Sequence, residues 1–197
     1  MFSRSTPTPI CPTSCSRNRP SVTADRTGVR DIVRILGIDP GSRLTGYGII
    51  DVQGTHTKFV DCGAISASGD HADRLRQIFH AVAALVAEHR PDEVAIERVF
   101  VHRNADSALK LGQARAAALC ATFAVELPVA EYAARHIKKA VVGKGSAEKG
   151  QVQGMVRMLL GLREAPGPDA ADALAAALCH AHERGAQALI KAVAASS

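Results

Sequence analysis

A chain of 197 residues is long enough to bury one sizeable core, and with 47% hydrophobic and 22% charged residues it has the composition of a globular protein rather than a fibrous one. No apolar run reaches the roughly 18 residues needed to span a bilayer, so no segment reads as a transmembrane helix. The formal charge of +5 sits mostly at the N-terminus: six arginines against Asp25 and Asp31 carry +4 of it, and residues 35–197 hold 18 basic and 17 acidic groups, so bulk charge alone does not argue for a nucleic-acid partner.

Residues 1–33 are rich in Ser, Thr, Pro and Arg and lack apolar periodicity, so they read as a disordered basic extension ahead of one folded domain, 34–197. They hold no continuous apolar stretch of the kind a signal peptide needs. We treat them as a tail or an over-extended start of the reading frame, which an N-terminal mass from the native source would test. Five scattered cysteines, an odd count with no secretory signal, fit a reducing cytoplasm; Cys11 and Cys15 have no second pair or nearby His, which argues against zinc.

RILGID (34–39) reads as a buried strand ending in an acid. LTGYGIID (44–51) and TKFVDCGAI (57–65), linked by a turn around Gly54, complete an antiparallel meander. A helix follows over 70–89, where Leu75, Ile78, Phe79, Val82, Leu85 and Val86 recur on one face and Pro91 marks the stop. DEVAIE (92–97) is a fourth strand, also ending in an acid. Residues 104–126 predict a long Ala-rich helix capped by Asn104 or Asp106, whose small residues suit close packing or a dimer surface. LPVAEY is a short fifth strand. Helices over 133–142 and 146–161, the second with Ser146 as N-cap, and a helix over 167–185 complete the chain. The order predicts an α/β fold: a mixed five-stranded sheet, three antiparallel strands then two parallel, flanked by helices.

Four acids stand out. Asp39 and Glu97 each end an apolar strand, where loops and functional groups meet, and adjacent strands lie about 4.8 Å apart. Asp169 and Asp172 are three residues apart on one helix face, in its first turn. Each has a structural reading: Asp39 as a turn cap, Glu97 as an ion-pair partner of Arg98 or Arg103, Asp169 as an N-cap. Asp172 is harder to dismiss, because DAADALAAAL surrounds it with small apolar residues and a buried acid needs a partner. Together they form the oxygen-rich set that a hard cation takes. Spacing along the chain cannot show that they meet.

The blocks ILGIDPGSRLTGYG, VAIERVFVHRNADSALKLGQARAAAL, PVAEYAARHIKKAVVGKGSAEKGQVQGMV and DAADALAAALCHAH, in this order, resemble the RuvC family of bacterial Holliday-junction resolvases. The resemblance spans about residues 34–185. It implies a ribonuclease-H-like fold, with the four catalytic and metal-binding acids at Asp39, Glu97, Asp169 and Asp172, and two Mg²⁺ ions per site, with Mn²⁺ as a substitute. It implies paired nicks leaving 5′-phosphate and 3′-hydroxyl ends, in recombination and repair. The implied partners are a four-way DNA junction, a second copy of the chain through the 104–126 helix, and the RuvA–RuvB branch-migration complex. The implied place is the bacterial cytoplasm at the nucleoid.

Residues 135–149 carry Arg135, Lys138, Lys139, Lys144 and Lys149 against Glu148. Such a run is ordinarily a solvated face; with the resemblance it reads as a phosphate track. Lys138 and Lys149 match positions the family uses to hold DNA, and Lys144 lies between them. Phe100, among Arg98, His102 and Arg103, is either a loop residue packed into the core or a ring that stacks on an unpaired base; the resemblance supports stacking, with Arg103 on DNA beside it. Tyr47 reads as packed on the sheet, and Gly41, Gly46 and Gly48 as serving turns or close backbone approach. GIDPGS also resembles the phosphate loop of actin-like ATPases and sugar kinases, but those need two related domains. A ribonuclease-H-like nuclease for other substrates would lack the NADSALKLGQAR and GSAEK blocks. A catalytically dead DNA-binding module would not need all four acids.

Overall fold

The computed structural model describes residues 32–98 and 104–195. Nearly all of the expected tail, and the candidate DNA contacts Phe100 and Arg103, lie outside the described residues. Five strands, β1 (Val33–Asp39), β2 (Leu44–Gln53), β3 (His56–Ser66), β4 (Glu93–Arg98) and β5 (Val129–Ala133), form one sheet in the order β3-β2-β1-β4-β5. β1 pairs antiparallel with β2, and β2 with β3; β1–β4 and β4–β5 are parallel. Three antiparallel strands followed by two parallel ones is the predicted arrangement.

The helices are α1 (His71–His89), α2 (Ala105–Cys120), α3 (Ala134–Val142), α4 (Lys149–Leu159) and α5 (Pro168–Ala195), with a short 3₁₀ turn at Phe123–Val125. They split between the two faces because the side chains of each strand alternate. Leu36 and Ile38 of β1 and Val94 and Ile96 of β4 join Ile78 and Val82 of α1 and Ala114 and Ala118 of α2 in one core. Ile35 and Ala95 point the other way, against Leu174 and Leu178 of α5 and Val152 and Val156 of α4. β1 is central and covered on both faces, which is why Ile35–Ile38 read as an unbroken apolar run.

Helix ends depart from expectation where single side chains decide them. Asp70 caps α1 by accepting the Asp73 N–H at 2.8 Å, and Arg90, in the left-handed region, ends it before Pro91. Asn104, not Asp106, caps α2, accepting the N–H groups of Asp106 and Ser107. That helix stops at Cys120 instead of 126. Thr122 is fully buried, and both its hydroxyl and its N–H donate to the Leu119 carbonyl, which tightens the last turn; Glu126, at φ 49°, ends the 3₁₀ turn beyond. Ser146 does not cap α4. A turn in which the Ala147 N–H bonds the Lys144 carbonyl buries Ala147, and the helix starts after Glu148, whose N–H donates to Gln151 Oε1 at 2.9 Å. Asp169 is not an N-cap either: Gly167 accepts the Ala171 N–H, Pro168 takes the first helical position, and Asp169 follows inside the first turn. α5 passes through Gly185, its expected end, to Ala195, because the Ala-rich stretch beyond favours helix strongly.

Candidate active site

The register brings the acids to one end of the sheet. Ile38 pairs with Ile96, and the next residues, Asp39 and Glu97, therefore close neighbouring parallel strands. Asp39 also lies opposite Gly46 of β2. The first turn of α5 crosses directly above: a Cβ at Gly46 would collide with the Asp169 carbonyl, one at Gly37 with the Ala173 carbonyl, and one at Gly48 with Leu174. Bare backbone at these positions lets α5 lie flat on β1 and β2, with Asp169 and Asp172 beside Asp39. Gly46 and Gly48 thus serve the expected close approach, while Gly41 packs against the Leu44 backbone in the β1–β2 turn, where Thr45 Oγ1 donates to the Gly41 carbonyl at 2.8 Å.

A cavity of about 270 Å³ opens there, lined by Asp39, Glu97, Asp172, Lys138 and Lys149, with Ala134, Ile137 and Val152 as its apolar wall. All four acids are half-buried. Burial pushes the Asp39 carboxyl up to about 7, helped by the charges of Glu97, Asp172 and Asp169 and opposed by Lys149. Burial, then Asp172, raises Glu97, which Lys138 and Lys149 pull back. Asp172 is raised by burial and, more weakly, by Asp169; Lys149 and Lys138 lower it. Lys149 Nζ stands 3.5 Å from Asp172 Oδ2. Asp169 does not line the cavity but acts on Asp39 and Asp172 by its charge.

This is an arrangement of buried like charges that gains from any cation entering it. The donors are all carboxylate oxygens, which fits a hard divalent ion such as Mg²⁺ or Mn²⁺ and does not fit zinc. Among the described residues no three such side chains converge tightly enough to enclose an ion as they stand. Asp39, Glu97 and Asp172 border a shared space without forming a closed cage, which leaves room for the waters and substrate oxygens that Mg²⁺ keeps in its shell.

The basic candidates divide. Lys138 on α3 and Lys149 at the start of α4 face the acids, whereas Lys144 is exposed in the α3–α4 loop and does not line the cavity. Tyr47 packs against the α1/α2 core as expected, its hydroxyl donating to Asp61 at 3.4 Å. Two features escaped sequence reasoning. Gly37 could have been suspected from a glycine in a buried strand combined with an Ala-rich helix able to lie on it. Arg115, whose Nε donates to the Glu97 carbonyl at 3.4 Å, had no signal beyond being a lone arginine among alanines.

The model of the family described as crossover junction endodeoxyribonuclease RuvC matches residues 35–180. The chain belongs to the RuvC family. A RuvC from Halorhodospira halophila is 60% identical over 157 residues, 79% of this chain and 93% of that one. A RuvC from Geobacter sp. strain M21 is 55% identical, with 81% and 98% covered. Among solved structures, Thermus thermophilus RuvC in complex with a Holliday junction substrate superimposes with a TM-score of 0.74 at 36% identity, covering 79% of this chain and 96% of that chain. The yeast mitochondrial Holliday junction resolvase, at 11% identity and a TM-score of 0.57, shares the fold. The sheet order and helix placement are those of this ribonuclease-H-like group. The matched residues 35–180 of this RuvC-family chain include Asp39, Glu97, Asp169 and Asp172.

Proposed function

We propose that the cavity between β1, β4 and α5 is the active site of a structure-selective endodeoxyribonuclease that resolves Holliday junctions by paired, symmetric nicks. The observation that carries this is the meeting of Asp39, Glu97 and Asp172 around one cavity opposite Lys138 and Lys149, in a chain of the RuvC family.

Asp39, Glu97, Asp169 and Asp172 are the residues that would hold two divalent ions, Mg²⁺ or, as a substitute, Mn²⁺. Such ions supply Lewis acidity and a readily deprotonated water for phosphodiester hydrolysis. The acids must be ionised to serve, and their mutual repulsion and burial oppose this. Lys149 and Lys138 favour the ionised forms. The same two lysines carry the charge that draws a scissile phosphate to the cavity mouth, with Lys144 extending the track along the loop. Phe100 and Arg103, just beyond β4, would stack on and contact an unpaired base. The apolar wall of Ile137 and Val152 lowers the local dielectric around Asp39, Glu97, Asp172, Lys138 and Lys149 and so strengthens the interactions among them. Hydrolysis leaves 5′-phosphate and 3′-hydroxyl ends that a ligase can seal.

A junction of two-fold symmetry calls for two sites related by the same symmetry. The exposed face of α2 supplies a surface for this: Leu109 is 63% exposed, and with Ala105, Ala108, Gly112 and Ala116 it borders a shallow apolar hollow of about 470 Å³. We therefore assign the homodimer contact to α2. The RuvA–RuvB complex and a nucleoid-associated cytoplasmic setting follow from the family resemblance; no described helix is long and apolar enough to cross a membrane.

The test uses a labelled four-way junction with a mobile core, a linear duplex control, and Mg²⁺ with and without chelator, comparing wild type with Asp39→Asn. Ligatable paired nicks in the junction only, lost with chelator and in the variant while junction binding persists, are the expected result. Equal cutting of the duplex would overturn the resolvase assignment, and cleavage by the Asn variant would overturn the role of Asp39.

A further inference from the structure

The described residues hold one polar device behind the cavity that the mechanism has not used. On the α2 side of the sheet, the Arg115 guanidinium reaches the end of β4. Its Nε donates to the Glu97 carbonyl at 3.4 Å, and its Nη2 lies 2.8 Å from Glu131 Oε1 of β5, an ion pair without an aligned hydrogen bond. Arg98 Nε approaches the other oxygen of Glu131 at 3.8 Å. Ile96 pairs with Glu131 and belongs to the α1/α2 core. By alternation, Glu131 and Arg98 share that face, while the Glu97 side chain projects to the opposite one, into the cavity.

The position of this contact matters. The β1–β4 ladder ends at Ile38 and Ile96, so toward β1 the Glu97 peptide lies one residue past the last pair, while toward β5 the ladder runs on through Glu97–Tyr132 and Arg98–Ala133. A carboxylate on a strand paired on one side only is held less firmly, just where like charges push it away. Arg115 is largely buried, its side chain 19% exposed, between the fully buried Ala114 and Ala118. A desolvated guanidinium needs acceptors, and its planar fork can bridge two at fixed geometry, which an ammonium cannot.

We infer that Arg115 is a positioning residue that clamps the end of β4 from behind, through the Glu97 carbonyl and the Glu131 carboxylate, and so sets where the Glu97 carboxylate stands in the cavity. It also ties α2, the helix assigned to the dimer contact, to the acid-bearing end of β4. The inference rests on the nuclease reading of the site.

The experiment compares wild type, Arg115→Met, Arg115→Lys and Glu131→Gln, with the surface change Arg76→Met as a control. Three readouts are taken on full-length protein: Mn²⁺ binding without DNA, followed by the electron paramagnetic resonance of free Mn²⁺; amide hydrogen exchange along β1 and β4; and single-turnover junction cleavage beside junction affinity. Arg115→Met is expected to weaken Mn²⁺ binding about 10-fold or more, the usual effect of losing a group that orients a ligand. Exchange should quicken at Glu97 and Arg98 but not at Ile35–Ile38, and cleavage should slow at unchanged junction affinity, with partial recovery at high Mn²⁺. Arg115→Lys and Glu131→Gln should fall between. Wild-type Mn²⁺ affinity and exchange in Arg115→Met would overturn the inference. If that variant does not fold, wild-type values in Glu131→Gln would overturn it equally. A variant that falls to monomers where wild type is dimeric would assign Arg115 to the interface instead. A wild-type protein that leaves the junction uncut overturns the nuclease reading, an outcome distinct from all of these.

Discussion

Replacing Asp39 by Asn should abolish cleavage and, in chelator, make the protein more stable. In the unfolded chain this carboxyl titrates near 3.8; in the fold, burial and the neighbouring acids push it to about 7. Between those values the native state holds a proton that the unfolded state has lost. Unfolding free energy therefore falls as pH rises from about 4 to about 7 and levels off above. At about 1.4 kcal/mol per pH unit, the interval amounts to about 4 kcal/mol. Asn has the shape of Asp without a charge to desolvate, and the value of about 7 already includes the opposing attraction of Lys149. The expected gain at pH 8 is about 2 to 4 kcal/mol, shrinking to nothing near pH 4. The chain has no tryptophan, so far-UV circular dichroism in urea is the suitable probe. Saturating Mg²⁺ should narrow the gap, because an ion that binds only the folded wild type stabilises it. An Asn variant no more stable than wild type at pH 8, or a difference that does not vary with pH, would refute the account of a site held together against its own charges.

Gly46→Ala places a methyl against the Asp169 carbonyl, so α5 must lift; we expect a loss of about 1–3 kcal/mol in urea unfolding and a larger loss in cleavage than in junction binding. Lys149→Met removes a charge that lowers the carboxyl pKa values of Asp39, Glu97 and Asp172. The acidic limb of the cleavage pH profile should move to higher pH, with the rate reduced more at pH 7 than at pH 9 in single-turnover assays. Leu109→Asp puts a charge on the exposed α2 face and should shift the sedimentation profile from dimer to monomer, with a melting temperature that no longer rises with protein concentration.

The order of strands and helices was legible because it is written in periodicity, which each segment carries within itself. Element ends were not, since they turn on one hydrogen bond: the Thr122 hydroxyl that shortens α2, or the Gln151 side chain that moves the start of α4 past Ser146. The acids could be named from strand ends and from the incongruous Asp172, but their meeting could not. It depends on a register that sets Asp39 opposite Gly46 and on a helix resting on that glycine. The basic run 135–149 looked uniform in sequence, yet Lys138 and Lys149 turn toward the acids and Lys144 toward solvent, a split that only the bend between α3 and α4 creates. Arg115 was invisible because its partners, a backbone carbonyl and an acid on β5, carry no sequence signature.

The cavity takes Asp39 from the first strand of the sheet and Asp172 from the last helix, with most of the chain between them. A polypeptide still emerging from the ribosome carries Asp39 and Glu97 early, but its β1–β2 glycines stay bare until α5 arrives. Such long-range closure comes late in folding. A product cut short before Asp169, from a broken message or a stalled ribosome, would therefore lack two of the four acids of the proposed cleavage centre. For a Holliday junction resolvase, completing the acid cluster with α5 would mean that chains lacking that helix cannot cut.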